Sequence, residues 1–429
     1  MSFIFNLISK ARVSSLFNNA FYLMLNSVVT SLLGFVFWNI MARVFSPAEV
    51  GIGSALVSAS GLVAALANLG LGVGIIRFIP ELKNREIHLI NGSFTIVTVI
   101  AFLGSIVYIV AVKTLSPALS FIQQNYVFTL LFVIFTIFTV LSTLTDQSLI
   151  AARSANRVFY KNTIISLIKI PLPVYAFSVL AGMGIFVGTG VGIVAGVLLS
   201  WFLFLTSVYP GYRLFPTFQK DMMSKLLPYS FANYLANLLN GAPAFIYPLM
   251  VLNVLGAEQN AYFYITWMMV MVLSIIPSGM AQSLFAEGSH DQARLAHNGR
   301  RALGISLLLS LPAIAAMYLL GGWLLHFFGA GYAENGTGVM RYLALAVLPQ
   351  CVNVLFITFN QVQKRVHLII AQTGALSLLS LGLGYLLLVK YGLNGLGMAY
   401  VLAQFLVAAD VIGPLLRRLK DKKAAPGSV

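Results

Sequence analysis

Two apolar runs, residues 17–44 and 52–79, flank a seven-residue polar break, FSPAEVG at 45–51. Each exceeds the roughly 20 apolar residues that cross a bilayer as a helix. The pair reads as a helical hairpin that leaves the membrane and re-enters it. The rest of the chain repeats the pattern. Only 9% of the 429 residues are charged and 59% are hydrophobic, and mean hydropathy is +0.91. Soluble domains carry about 25% charged residues, so this chain lacks the polar surface to face water. The runs are too long for barrel strands of ~10 residues and do not alternate with period two. The expected class is an all-α polytopic membrane protein.

We expect twelve transmembrane helices, at 17–44, 52–80, 90–112, 126–152, 162–182, 186–208, 228–255, 261–286, 303–328, 339–362, 368–389 and 397–416. They group into two six-helix bundles, 17–208 and 228–416, joined by a cytoplasmic linker at 209–227. The start, MSFIFNLISKARVSS, puts its apolar residues before its basic ones, the reverse of a signal peptide. Residues 1–16 therefore read as an amphipathic segment on the cytoplasmic leaflet, and 417–429 as a basic cytoplasmic tail.

Lysine and arginine set the topology. Twenty of the 26 fall in connections on one side. Only Arg43, Lys113 and Lys390 fall on the other, and Arg77, Lys169 and Arg341 lie within spans. This bias puts both termini in the cytoplasm of a multi-pass plasma-membrane protein. It also accounts for the net charge of +15 without nucleic acid as a partner. A weak internal repeat matches the two bundles. Ala48-Glu49 and Ala257-Glu258 stand 209 residues apart, and NAFYLMLNS (19–27) has a counterpart in FANYLANLLNG (231–241). Halves with an even number of spans enter the membrane the same way, so a pseudo-two-fold axis relating them lies along the membrane normal.

No catalytic constellation is visible. There is no GxxxxGK[ST] phosphate loop, no HxxxH pair, and a single cysteine, Cys351. We expect no enzyme activity, no cofactor and no metal. Gly188, Gly192 and Gly196 recur every fourth residue, which suits close helix approach.

Polar groups inside spans are costly and point to function by default. Asn233, Asn237 and Asn240 share one face of the seventh span, Asn19 and Asn26 one face of the first, and Gln350, Asn353 and Asn360 form a stripe in the tenth. Such amides either line a wet cavity and bond sugar hydroxyls, or join helices to each other. Asp146 and Lys169 sit at similar depth on consecutive spans, where a structural ion pair competes with a cavity role. Arg77 either binds phosphate from the cavity wall or snorkels to the headgroups. Asp410 is expected near the inner interface beside a basic neighbour. The substrate-binding candidates are Arg77, Lys169, Asn26, Asn237, Asn240 and Asn353, and the coupling or ion-pair candidates are Asp146 and Asp410. Pro171 and Pro173 should kink the fifth span, and Pro243 and Pro248 the seventh.

The first hairpin, NNAFYLMLNSVVTSLLGFVFWNIMARVFSPAEVGIGSALVSASGLVAALANLGLGVGIIRFIPE (18–81), resembles the polysaccharide-export flippases of the multidrug/oligosaccharidyl-lipid/polysaccharide exporter (MOP) superfamily. The resemblance rests on Ala42-Arg43 followed by Ser46-Pro47-Ala48-Glu49-Val50-Gly51, and on Ile75-Ile76-Arg77-Phe78 at the end of a Gly-rich span. It implies two six-helix bundles working by alternating access on a lipid-pyrophosphate-linked oligosaccharide. The substrate would move from inner to outer leaflet, with a glycan polymerase or glycosyltransferases as possible partners. The alternatives are a cation-coupled multidrug exporter of the same superfamily and a non-transporting membrane scaffold.

Overall fold

The computed structural model describes residues 15–82, 85–175, 178–217 and 220–420, so most of the expected amphipathic start and of the basic tail lies outside the described residues. Long stretches without a polar backbone partner other than the chain itself must close their hydrogen bonds internally, and a helix does so at every residue. Among the described residues no strand is present. The main helices are α1 (Ser15–Val44), α2 (Pro47–Asn68), α3 (Leu71–Phe78), α4 (Glu86–Leu115), α5 (Tyr126–Ala151), α6 (Ala155–Lys169), α7 (Gly182–Leu199), α8 (Lys220–Leu255), α9 (Ala257–Met271), α10 (Ile275–His290), α11 (Leu295–His326), α12 (Ala330–Leu345), α13 (Val347–Val362) and α14 (Val366–Lys420).

Eight helices are long and apolar enough to cross a membrane, or up to ten when the bent pairs α9–α10 and α12–α13 each count as one span. The count of twelve is therefore not reached on length and composition, for two reasons. The last helix is two helices. Gly392 has φ 62 and ψ −148, outside helical space, and Gln372 and Gln404 both bond Asn353. A straight helix would hold those two glutamines nearly 50 Å apart, so α14 folds back on itself at Gly392. The fifth expected span, in turn, is a 15-residue helix, α6, followed after Ile170 by a separate five-residue helix at Pro171–Tyr175. Pro171 ends it, as the proline chemistry predicts. Pro243 and Pro248 do not break α8, which runs unbroken from Lys220 to Leu255.

The expected second span, 52–80, differs at both ends of its first helix. α2 starts at Pro47 because Ser46 and Glu49 form a capping box: the Ser46 hydroxyl accepts from the Glu49 N–H, and the Glu49 carboxylate accepts from the Ser46 N–H at 2.8 Å. The polar break thus shrinks to a two-residue turn. α2 ends at Leu69 and Gly70, both in the left-handed region. A Cβ on Gly70 would come within 2.7 Å of the Ser230 carbonyl and of Tyr234. Tyr234 also donates to the Leu66 carbonyl at 2.8 Å. The third and fourth turns of α8 are therefore seated against the break between α2 and α3.

The chain divides into two compact units, Met1–Tyr234 and Leu235–Val429, so the division falls within α8 rather than in the 209–227 connection. In the first unit, α1 lies along α6. Asn19 Oδ1 caps α6 by accepting from the Ala155 N–H, Tyr22 packs on Phe159, and Asn26 meets Asn162. Both residue numbers rise together, so the helices are parallel, as first and fifth spans of an alternating bundle must be. In the second unit α8 lies parallel to the first arm of α14 in the same manner: Leu239 is beside Gly374, and Tyr247 donates to the Ser380 carbonyl. The two units thus repeat one helix pairing.

The burial pattern suits lipid. Met24, Val110, Phe202, Leu319 and Leu378 project from the helices and are each more than two-thirds exposed, while Ser54, Ser58, Ser60, Thr136 and Ser148 are buried. Lipid tails are as apolar as leucine, so interfaces are made by close packing of small residues. Gly196 and Gly188 do this, facing Ile165 and Pro173 so closely that a Cβ would overlap them.

Candidate functional site

In the first unit, two consecutive residues of α6, Lys161 and Asn162, converge on one carboxylate, that of Asp146 on α5. The Lys161 ammonium lies 2.9 Å from Asp146 Oδ1, with no exposure of the lysine side chain and 21% exposure of the aspartate. Lys161 also donates to Ser142, 2.7 Å to its hydroxyl and 3.1 Å to its carbonyl. Asn162, next on α6, donates to Asp146 Oδ2 at 3.3 Å and lies 3.2 Å from Asn26 Oδ1 of α1. A buried lysine costs several kcal/mol unless an acid and hydrogen bonds compensate it. Here Asp146 and Ser142 supply that compensation, and Asn162 extends it to α1, a helix the rest of the protein otherwise barely covers.

The second unit contains the neutral counterpart. Asn353 is buried. Its amide donates to Gln404 Oε1 at 2.8 Å, and Gln372 donates to the Asn353 carbonyl at 3.1 Å. Gln404 in turn donates to Tyr400 at 3.1 Å. Ser142 and Asn353 stand 211 residues apart, as do Lys161 and Gln372. The turns after α5 and α13 keep that offset. Arg153 and Lys364 both adopt left-handed φ, with Ser154 N–H bonded to Leu149 O and Arg365 N–H to Asn360 O. One architecture thus carries an ion pair in the first unit and amides in the second. At the position of Asp146 the second unit has Ile357.

Several expectations need correction. Asp146 does not pair with Lys169. Its partner is Lys161, because α6 begins at Ala155, a full two turns before the expected start at 162. Lys161 is consequently a fully buried helix residue rather than an exposed loop charge. Lys169 instead places its ammonium over the Phe37 ring, 5.1 Å from the centroid. Asn353 is sealed in the amide network and lines no open wall; Asn360 is likewise buried. Arg77 is exposed and pairs with Glu81 at 2.6 Å, one turn along. Asp410 is exposed, and no described basic residue pairs with it. Asn26 is half-buried and belongs to the α1–α6 contact. Asn237 and Asn240 are exposed on α8, while the side chain of Asn233 lies outside the described residues.

Lys161 and Asn162 are the residues that reading the sequence missed. Two signals were present: Ser154, just before α6, is of a residue type that favours helix starts, and the 211-residue offset aligns Lys161 with Gln372.

By sequence, no curated protein matches this chain. Its structure is similar to that of the lipid II flippase MurJ in an inward closed conformation, at 13% identity and TM-score 0.72, covering 92% of this chain and 89% of that one. It is similar to an inward-facing multidrug resistance MATE family transporter of the MOP superfamily, at 15% identity and TM-score 0.70, covering 93% and 96%. A MOP superfamily transporter from Pyrococcus furiosus, described as having a binding pocket of reversed polarity, matches at 15% identity and TM-score 0.64, covering 96% of each chain. At these identities the likeness speaks of the fold. Residues 16–286 match the family model described as polysaccharide biosynthesis protein. That stretch is well over half of the chain, and it takes in the first hairpin and the Asp146–Lys161 pair. With its many apolar helices and its MOP-type fold, the chain belongs to the polysaccharide biosynthesis protein family of multi-pass membrane proteins.

Proposed function

We propose that this protein is a flippase that moves a lipid-pyrophosphate-linked oligosaccharide from the inner to the outer leaflet by alternating access. The observation that carries this reading is the family match over 16–286, together with a fold shared with a lipid II flippase. The physical need is clear: a glycan and a pyrophosphate cannot enter hydrocarbon without losing hydrogen bonds and solvation worth many kcal/mol. Exposed amides at Asn237 and Asn240 offer sugar hydroxyls donors and acceptors, and Arg77 and Lys169 offer the pyrophosphate positive charge.

In this reading the termini are cytoplasmic, the host membrane is the plasma membrane, and a glycan polymerase or glycosyltransferases act on either side. No ATP site is involved. The energy comes from an ion gradient, the membrane potential, at about 2.3 kcal/mol per charge per 100 mV, or glycan consumption outside. Asp146 with Lys161 is the coupling element, because it is charged where the second unit is neutral. Export of cationic drugs would require an acid free to meet a cation; Asp146 is tied to Lys161, which leaves exposed Asp410 as the acid such a reading would have to use.

The test is a deletion strain with no second copy. Lipid-linked glycan should stay inaccessible to a membrane-impermeant lectin added to intact cells stripped of their wall, and re-expression should restore access. Normal access and normal surface glycan in the deletion strain would refute the assignment.

A further inference from the structure

Helix α13 ends in a turn that the residue type does not favour. Lys364 sits at φ 57, a left-handed position usually given to glycine at the end of a helix. The turn brings the Arg365 N–H onto the Asn360 carbonyl at 2.8 Å. Asn360 is fully buried. Its amide donates to the Phe356 carbonyl at 2.9 Å, and its side-chain oxygen accepts from the Arg418 guanidinium at 2.9 Å. The Arg418 guanidinium also lies over the Phe356 ring, 5.1 Å from the centroid. One buried asparagine therefore holds both the backbone of Arg365 and the head of Arg418.

Asn360 bonds the Arg365 backbone through its carbonyl and the Arg418 head through its side chain, so two like charges are carried by neighbouring residues. Among the described residues no acid pairs with either. Glu287 accepts from Asn298, Asp291 pairs with Arg294, and Asp410 lies two helical turns, about 12 Å, before Arg418. Lys364 and Arg417, both exposed, add to the same charge. The turn itself does not require this. The equivalent turn of the first unit forms the same bond with Leu149 and Ser154 in place of Asn360 and Arg365. Arg418 is held and stacked beside a second arginine, and among the described residues no acid balances either charge, which is the form of an anion site.

We infer that Arg365 and Arg418, positioned by Asn360, bind a phosphate group at this end of the second unit. Two guanidinium forks match the oxygens of a phosphate in bidentate fashion. The chemistry is shared by an anionic phospholipid and by free phosphate. It does not depend on the transport reading.

The test uses the full-length protein purified in a neutral detergent. Added phosphatidylglycerol should raise its midpoint of thermal unfolding, and phosphatidylcholine should not. Native mass spectrometry should count retained phosphatidylglycerol. Arg365→Gln, whose side chain is exposed and supports no packing, should weaken phosphatidylglycerol binding at least tenfold, and the double variant with Arg418→Gln should abolish it. Arg341→Gln, at the other end of the spans, should bind as wild type. If millimolar inorganic phosphate stabilises the wild type but not Arg365→Gln, and phosphatidylglycerol adds nothing, the site takes free phosphate. If neither anion stabilises the wild type, or Arg365→Gln binds phosphatidylglycerol undiminished, the inference is overturned.

Discussion

Lys161→Gln, Asp146→Asn and the double variant form a cycle whose outcome the structure dictates. Gln372 occupies the equivalent position in the second unit and donates to Asn353, so a glutamine at 161 should still reach Ser142. What it cannot do is neutralise Asp146. Removing one partner of a buried pair costs about 3–5 kcal/mol. Asp146 keeps 21% of its side-chain exposure, which puts Lys161→Gln near the lower end, about 3 kcal/mol. Asp146→Asn leaves an ammonium with no exposure at all and should cost at least as much. The double variant recreates the neutral node and should cost only about 1 kcal/mol, the scale of an imperfect hydrogen bond. Thermal unfolding in one detergent measures this, at about 2–4 °C per kcal/mol for a unit of this size. The single variants should then fall by about 6–12 °C and the double by no more than about 4 °C. If the single losses simply add in the double variant, the pair is not a mutually compensating unit and the reasoning fails. Transport in the double variant separates the roles: a coupling pair leaves a stable protein that does not flip its substrate, whereas a structural pair leaves one that does.

Gly392→Ala should destabilise the second unit by about 1–3 kcal/mol, because φ 62 with ψ −148 is closed to a residue with a Cβ; an unchanged unfolding midpoint would contradict the fold-back of α14. Arg77→Gln should change stability by less than about 1 kcal/mol, since its pair with Glu81 is half exposed, yet it should slow transport if Arg77 meets the pyrophosphate; wild-type flipping by a stable Arg77→Gln protein would remove it from the site.

The class of this molecule was legible without coordinates because it depends on sums. Apolar runs longer than a bilayer, 9% charged residues and a one-sided distribution of Lys and Arg are properties of segments, and no tertiary contact alters them. The repeat was legible for the same reason: Ala48-Glu49 and Ala257-Glu258 do begin the second helix of each unit. The limits of helices were less so. The Ser46–Glu49 capping box started α2 five residues early, and the left-handed pair Leu69-Gly70 ended it where periodicity continued.

The partners of the buried charges lay beyond the sequence. Depth along a helix follows from counting residues at 1.5 Å each, but the face a side chain presents depends on where the helix starts and what packs on it. A shift of seven residues in the start of α6 moved Lys161 from water into the core and gave it Asp146, while Lys169 went to Phe37. Asn237 and Asn353 are the same residue type in equally apolar surroundings of sequence. Only packing left the first exposed on α8 and enclosed the second between Gln372 and Gln404. Segment hydrophobicity is additive along the chain and so can be read from it; which amide is sealed and which acid meets which base are pairwise facts that arise when the helices close on one another.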